Sequence, residues 1–199
     1  MAVGDCERAF WGAAMEDGIE LQRYKLPFIN QQGHFGLPER AAAAKSVLHQ
    51  LFIALGGDAA EQAGKRTTAL PGDLIHEPTR TVIEVDESQH FTSFRLKTLE
   101  MYPSGYQEGV NLSEYRRLCM HWAPQSDGYR RTKSAAAFGH GGRQRQRAYY
   151  DALRDLALPA MGYPPIIRVP VFDGDGRAAY LRNRDRIRDT LERNATRTL

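Results

Sequence analysis

Residues 71–90 read PGDLIHEPTRTVIEVDESQH, and the fold of the chain turns on them. An acid, Asp73, follows a Pro-Gly turn. Two runs rich in β-branched residues, Leu74-Ile75 and residues 81–86, flank a short polar turn around Pro78, which predicts a hairpin or adjacent strands. Successive side chains of a strand alternate between faces, so Glu84 and Asp86 share one face while Ile83 and Val85 take the other. Asp73 on the neighbouring strand then completes a group of carboxylates at one end of the sheet. Carboxylates held close together repel unless a cation neutralises them, and hard oxygen ligands suit Mg²⁺ or Mn²⁺. A metal that activates water at such a site hydrolyses phosphodiesters.

Residues 83–91, IEVDESQHF, resemble the IE(I/V)DGxQH signature of a bacterial domain family related to very-short-patch repair endonucleases. That family lies within the PD-(D/E)XK, restriction-endonuclease-like superfamily. Asp151, Arg154, Leu158, Gly162 and Arg168 resemble its second block, a D-x-x-R-x-x-x-L-x-x-x-G helix leading to a strand that carries an Arg. The two blocks, residues 83–91 and 151–168, depart from the family at Glu87, where it usually has Gly, and in the long stretch between them.

The resemblance implies an α/β fold, a central mixed β-sheet flanked by helices, and a Mg²⁺-dependent DNA endonuclease of restriction or repair and nicking type. Its partner is double-stranded DNA. In that reading Asp73 and Glu84 bind the metal, Asp86 assists as ligand or orienter, and Gln89 or His90 positions water or the leaving group. The superfamily places a lysine two residues after the glutamate, where this chain has Asp86. His90, Gln89 and Lys97 are the candidates to replace it, with His90 favoured as nearest the acids in sequence. Related nucleases also carry a Glu on an early helix. Alignment by apolar stripe puts Ala44 there, leaving Glu39 as a weaker candidate whose ordinary reading is a helix-dipole acid.

Composition bounds the alternatives. A chain of 199 residues is long enough to bury one core, and a net charge of +3 does not by itself demand a nucleic-acid partner. Only five of the 27 basic residues are lysines. Arginine suits bidentate phosphate and base contacts, although a GC-rich coding genome gives the same bias. Cys6 and Cys119 form neither a zinc spacing nor a secreted disulfide framework. No leader and no membrane-length apolar window is present in the sequence, so a cytoplasmic protein without a membrane partner is expected. A homodimer is left open.

The remaining segments frame the centre. Apolar spacing predicts a helix over 5–15 ended near Gly18, and breakers make 19–36 irregular, so 1–36 reads as a packing, recognition or dimerisation arm. Pro38 opens a helix with an apolar stripe from Ala44 to Leu55, closed by Gly56-Gly57. Residues 65–68 suggest a first strand facing a phosphate. Helices are expected over 91–101 and around Leu112, Tyr115, Cys119 and Trp122, separated by a loop at 104–110. From Tyr129 to Arg147 there are six basic residues (Arg130, Arg131, Lys133, Arg143, Arg145, Arg147) and no acid. Interleaved with Gly139, Gly141, Gly142, Tyr129 and Phe138, that segment suits phosphate tracking; a solvated surface loop is its plainer reading. Residues 92–142 accordingly read as an inserted helical, basic subdomain of a single nuclease-like domain. A helix over 148–158, a buried strand over 166–169, a turn at 173–176 and a surface helix over 180–193 complete the chain. The rival reading is a nucleic-acid-binding module that keeps the fold without turnover, and a weaker one is an RNA-directed nuclease.

Overall fold

A computed structural model describes residues 4–106 and 111–197. Residues 107–110 of the expected loop lie outside them. The chain is mixed α/β, with small sheets flanked by helices. Strands β3 (Leu74–His76), β4 (Thr81–Glu87) and β5 (Ile167–Val171) form a mixed sheet in the order β3-β4-β5. The β3–β4 hairpin is antiparallel, with Leu74 opposite Ile83, and a short 3₁₀ turn around Pro78 joins the two strands. β5 runs parallel to β4, with Glu84 opposite Arg168. Parallel neighbours need a long crossover, supplied here by α4 (Ser93–Glu100), α5 (Leu112–Ser126) and α6 (Arg143–Ala160).

The alternation in β4 and β5 divides the molecule into layers. Ile83, Val85, Ile167, Val169 and Val171 face one core with α1 (Asp5–Glu16) and α7 (Gly176–Arg197). Val82 faces the other core, built with α2 (Ala42–Ala54), α4, α5 and α6. Glu84, Asp86 and Arg168 lie on that second side and are buried there. A strand that delivers two acids and an arginine into its larger core must satisfy each of them.

Several expectations shift. The first strand is β1 (Lys25–Asn30), which pairs antiparallel with β2 (Ala69–Pro71); residues 65–68 are coil. Pro27 fits β1 because an edge strand can forgo a ladder donor. Within 1–36, α1 buries Cys6, Phe10, Ala13 and Ala14 against α7 and the sheet. The helix expected from Pro38 starts with a 3₁₀ turn and becomes α-helical at Ala42. Within 92–142, α4, the bend after it and α5 place Leu99, Tyr102, Tyr115 and Cys119 in the main core. α7 extends beyond 180–193 at both ends and buries Ala179, Tyr180, Ile187 and Leu191 beneath its charged outer face. Among the described residues no helix is long and apolar enough to cross a membrane.

Candidate active site

A cleft of about 520 Å³ opens between the β3–β4 hairpin and α6. Asp73 and Glu84 line it from the sheet, His90 from the turn after β4, and Asp151 and Arg154 from α6.

Asp73 immediately precedes β3, so the hairpin register sets it beside Glu84. The Glu84 carboxylate is held on its inner side: Oε1 accepts from the Tyr24 hydroxyl at 2.6 Å and from the Asp73 backbone N–H at 3.2 Å. Gly72 makes room for this, since a Cβ there would lie 2.0 Å from Tyr24 Cζ. Asp73 Oδ2 accepts from the Val85 N–H at 2.8 Å. Asp73 Oδ1 and Glu84 Oε2 have no hydrogen-bond donor among the described residues. Burial, followed by repulsion from Glu84, pushes the Asp73 carboxyl well above the usual carboxylate range. Two acids are thus fixed from behind with one oxygen each left over.

Asp86 belongs to a different group. Arg168 Nη1 donates to both of its oxygens at 2.8 Å, and the Tyr115 hydroxyl donates to Oδ2 at 2.9 Å. Arg168 continues through Nε to Asp155 Oδ1 at 2.6 Å and through Nη2 to the Asp151 carbonyl at 3.1 Å. Asp155 Oδ2 in turn accepts from Arg95 Nη2 and the Tyr102 hydroxyl, each at 2.5 Å. The expected set of three acids therefore divides: Asp73 and Glu84 face the cleft together, while Asp86 is spent in a buried ion-pair web.

His90 is anchored to this web and also lines the cleft. Its Nδ1 lies 3.0 Å from Asp151 Oδ2 and 3.3 Å from Asp86 Oδ1, which leaves Nε2 without a partner among the described residues. Burial raises the Asp151 carboxyl, but His90 and Arg168 outweigh it and hold that carboxyl low. Asp86, His90 and Asp151 could hold a metal by distance, with one ligand atom each within 4.8 Å of the others. The donor set argues against it, because Arg168 and Tyr115 already occupy both Asp86 oxygens. The trio has the geometry of an acid-oriented imidazole.

The other candidates are dispersed. Gln89 donates to Glu87 Oε2 at 3.1 Å and does not line the cleft. Lys97 Nζ donates to the Ala54 carbonyl at 2.5 Å, on α4 and away from the acids, because the helix face that carries it looks toward the end of α2. Glu39 is exposed ahead of α2, away from the cleft lining. Arg130, Arg131 and Lys133 are exposed in turns. Arg143 and Arg147 line the cleft, whereas Arg145 donates to the Phe138 carbonyl at 2.5 Å and braces the turn before α6. Glu87, where the resembled family has glycine, sits at φ −72°, open to any residue.

Sequence reasoning gave no site role to Tyr24 or Glu7, named Asp151 and Arg154 only within the resembled second block, and gave Lys65 a phosphate-facing place on a strand that does not form there. Arg154 donates to the Pro71 carbonyl through Nη2 at 2.6 Å and brings Nε to 3.6 Å from Glu84 Oε1. Glu7, on α1 and paired with Arg23 at 3.1 Å, is close enough to add to the charge felt by Asp73. The available signal was on α6, where Asp151 and Asp155 recur at i, i+4 within a run that also holds Ala148, Ala152 and Leu158.

Residues 50–132 match the model of a family of unknown function (DUF7255), which is less than half of the chain. That segment contains Asp73, Glu84, Asp86 and His90 and stops before α6. No curated protein and no solved structure matches the chain.

Proposed function

We propose that the chain is a Mg²⁺- or Mn²⁺-dependent endodeoxyribonuclease with a restriction-endonuclease-like core, acting on double-stranded DNA. The observation that carries this reading is the acid pair: Asp73 and Glu84, fixed by inner hydrogen bonds, have one unpartnered oxygen each and line a cleft that basic residues also line. Hard oxygens, mutual repulsion and partial burial fit a divalent cation. When bound, such an ion supplies positive charge to a phosphate and an acidic water.

The chain's own residues do the rest. Tyr24 and the Asp73 N–H keep Glu84 in one orientation. With Nδ1 tied to Asp151, His90 keeps Nε2 in the cleft, where it can take or return a proton. Arg154 adds fixed positive charge beside Glu84.

A second reading, a nucleic-acid-binding module without turnover, draws support from that same Arg154, which already offsets part of the Glu84 charge. Incubating supercoiled plasmid with purified protein in Mg²⁺ or in EDTA separates the two. The nuclease reading expects metal-dependent nicked or linear product, lost by a hundredfold or more in Asp73→Ala and Glu84→Ala. DNA that is bound but left uncut in Mg²⁺ and in Mn²⁺ would assign the chain to the second class.

A further inference from the structure

The cleft wall also carries Lys65, Arg143 and Arg147. The buried arginines sit beside acids: Arg95 with Asp155, Arg154 with Glu84, and Arg168 with Asp86 and Asp155. Lys65, Arg143 and Arg147, partly buried, are held by neutral acceptors, as are Arg116 and Arg145. Lys65 Nζ donates to Gln62 Oε1 at 2.7 Å and to the Ala136 carbonyl at 3.0 Å. Arg143 Nη1 donates to Gln146 Oε1 at 2.6 Å, and Arg147 Nη1 to the Gln89 carbonyl at 2.9 Å. None forms an ion pair with a carboxylate among the described residues, and the buried Nε of Arg143 has no partner.

The cost of this arrangement is visible. Burial pulls Lys65 below its usual range, with Glu61 only partly restoring it. Burial also lowers Arg147, with Asp151 opposing and Arg143 and Arg130 adding to the shift. Arg143 and Arg147 lie one turn apart at the start of α6, where like charges repel and the helix end is already positive. No acid stands in that first turn, and Gly142 provides no side-chain cap. Three cations line one cleft, two of them repelling each other, and none has a carboxylate partner among the described residues.

We propose that Lys65, Arg143 and Arg147 form a phosphate site in the cleft, separate from the acid pair and competent without metal. Assigning that phosphate to a nucleic acid rests on the proposed function; the site itself does not. Two sources share the chemistry, an internal phosphodiester of a strand or a terminal phosphate monoester.

The test uses the full chain in EDTA, so that neither metal binding nor cleavage enters. Sodium phosphate is expected to raise the melting temperature above a sodium chloride control at equal ionic strength. The double variant Lys65→Met, Arg143→Met should weaken phosphate binding tenfold or more, while Asp73→Asn leaves it at wild-type strength or tighter. If the double variant does not fold, Lys65→Gln and Arg143→Gln, each checked by circular dichroism, carry the same comparison. A thymidine oligonucleotide without terminal phosphate that displaces inorganic phosphate identifies an internal phosphodiester. Displacement by thymidine 5′-monophosphate alone identifies a terminal one, and displacement by neither overturns the nucleic-acid assignment. Phosphate that stabilises no better than chloride, or equally in the variants, overturns the site. Intact phosphate binding beside a plasmid that is never cut would count against the nuclease reading only.

Discussion

Arg168→Met tests the ion-pair web that holds the crossover together. Arg168 is fully enclosed and is the shared partner of Asp86 and Asp155, with its Nη2 also bonded to the Asp151 carbonyl. Methionine fills much of the volume but returns no donor. Three buried carboxylates would be left with Arg95 and His90 as their remaining cationic partners. Removing one member of a buried ion pair costs about 3–5 kcal/mol, and a domain of this size loses roughly 2–4 °C per kcal/mol. The melting temperature should therefore fall by about 6–20 °C at pH 7. The pH dependence sharpens the test. Burial raises the Asp155 carboxyl, but Arg168 and Arg95 outweigh it and hold it below the usual range. A carboxyl depressed in the folded state stabilises above its unfolded value, near 3.8, and loses that contribution as pH falls through the folded value. The gap between wild type and variant should be widest at neutral pH and narrow as pH falls below the unfolded value toward the depressed folded one. Thermal unfolding followed by circular dichroism at pH 7, 5 and 3 reads it. A loss below about 1 kcal/mol at pH 7, or a gap that stays constant with pH, would show that the web is not what holds these elements together.

Two further outcomes follow from single side chains. Asp73 is raised by burial and Glu84, so its ionisation destabilises the fold increasingly as pH rises above the unfolded carboxylate range. In EDTA at pH 8, Asp73→Asn should melt higher than wild type, with the difference vanishing below about pH 4 and with Mg²⁺ stabilising only the wild type; an Asn variant that melts lower would refute this. His34, packed against Tyr149 and His49, is lowered to about 4 by burial and then by His49. Wild type should lose on the order of 3 kcal/mol between pH 6.5 and 4, a loss that His34→Gln escapes, as urea midpoints at pH 7.5 and 4.5 would reveal.

The hairpin and the alternation of β4 were legible because Ile83, Glu84, Val85 and Asp86 alternate apolar and acidic, which leaves little choice of face. The apolar stripes of α2 and α5 were legible for the equivalent reason at helical period. β1 was not: Lys25-Leu26-Pro27 has neither alternation nor a proline-free run, and its pairing depends on β2 some forty residues later. The acid pair Asp73 and Glu84 could be read because a hairpin register is local. Asp86 was misassigned to that pair because its partner, Arg168, lies 82 positions away in the sequence and leaves no periodic trace. The cleft shares this limit, since Lys65, Arg143 and Arg154 meet only once the crossover has closed.

That separation also orders events while the chain is being made. The hairpin bearing Asp73 and Glu84 can form as soon as residue 87 is free, but Arg168 is 82 residues downstream of Asp86. At synthesis rates of roughly 5–20 residues per second, this leaves an interval of about 4–16 s in which Asp86 lacks its counter-charge. Pairing across so long a loop is slow. The last strand to emerge is therefore the one that locks the site, and a chain arrested before β5 would carry the acids of the cleft without the arginine that fixes the wall behind them.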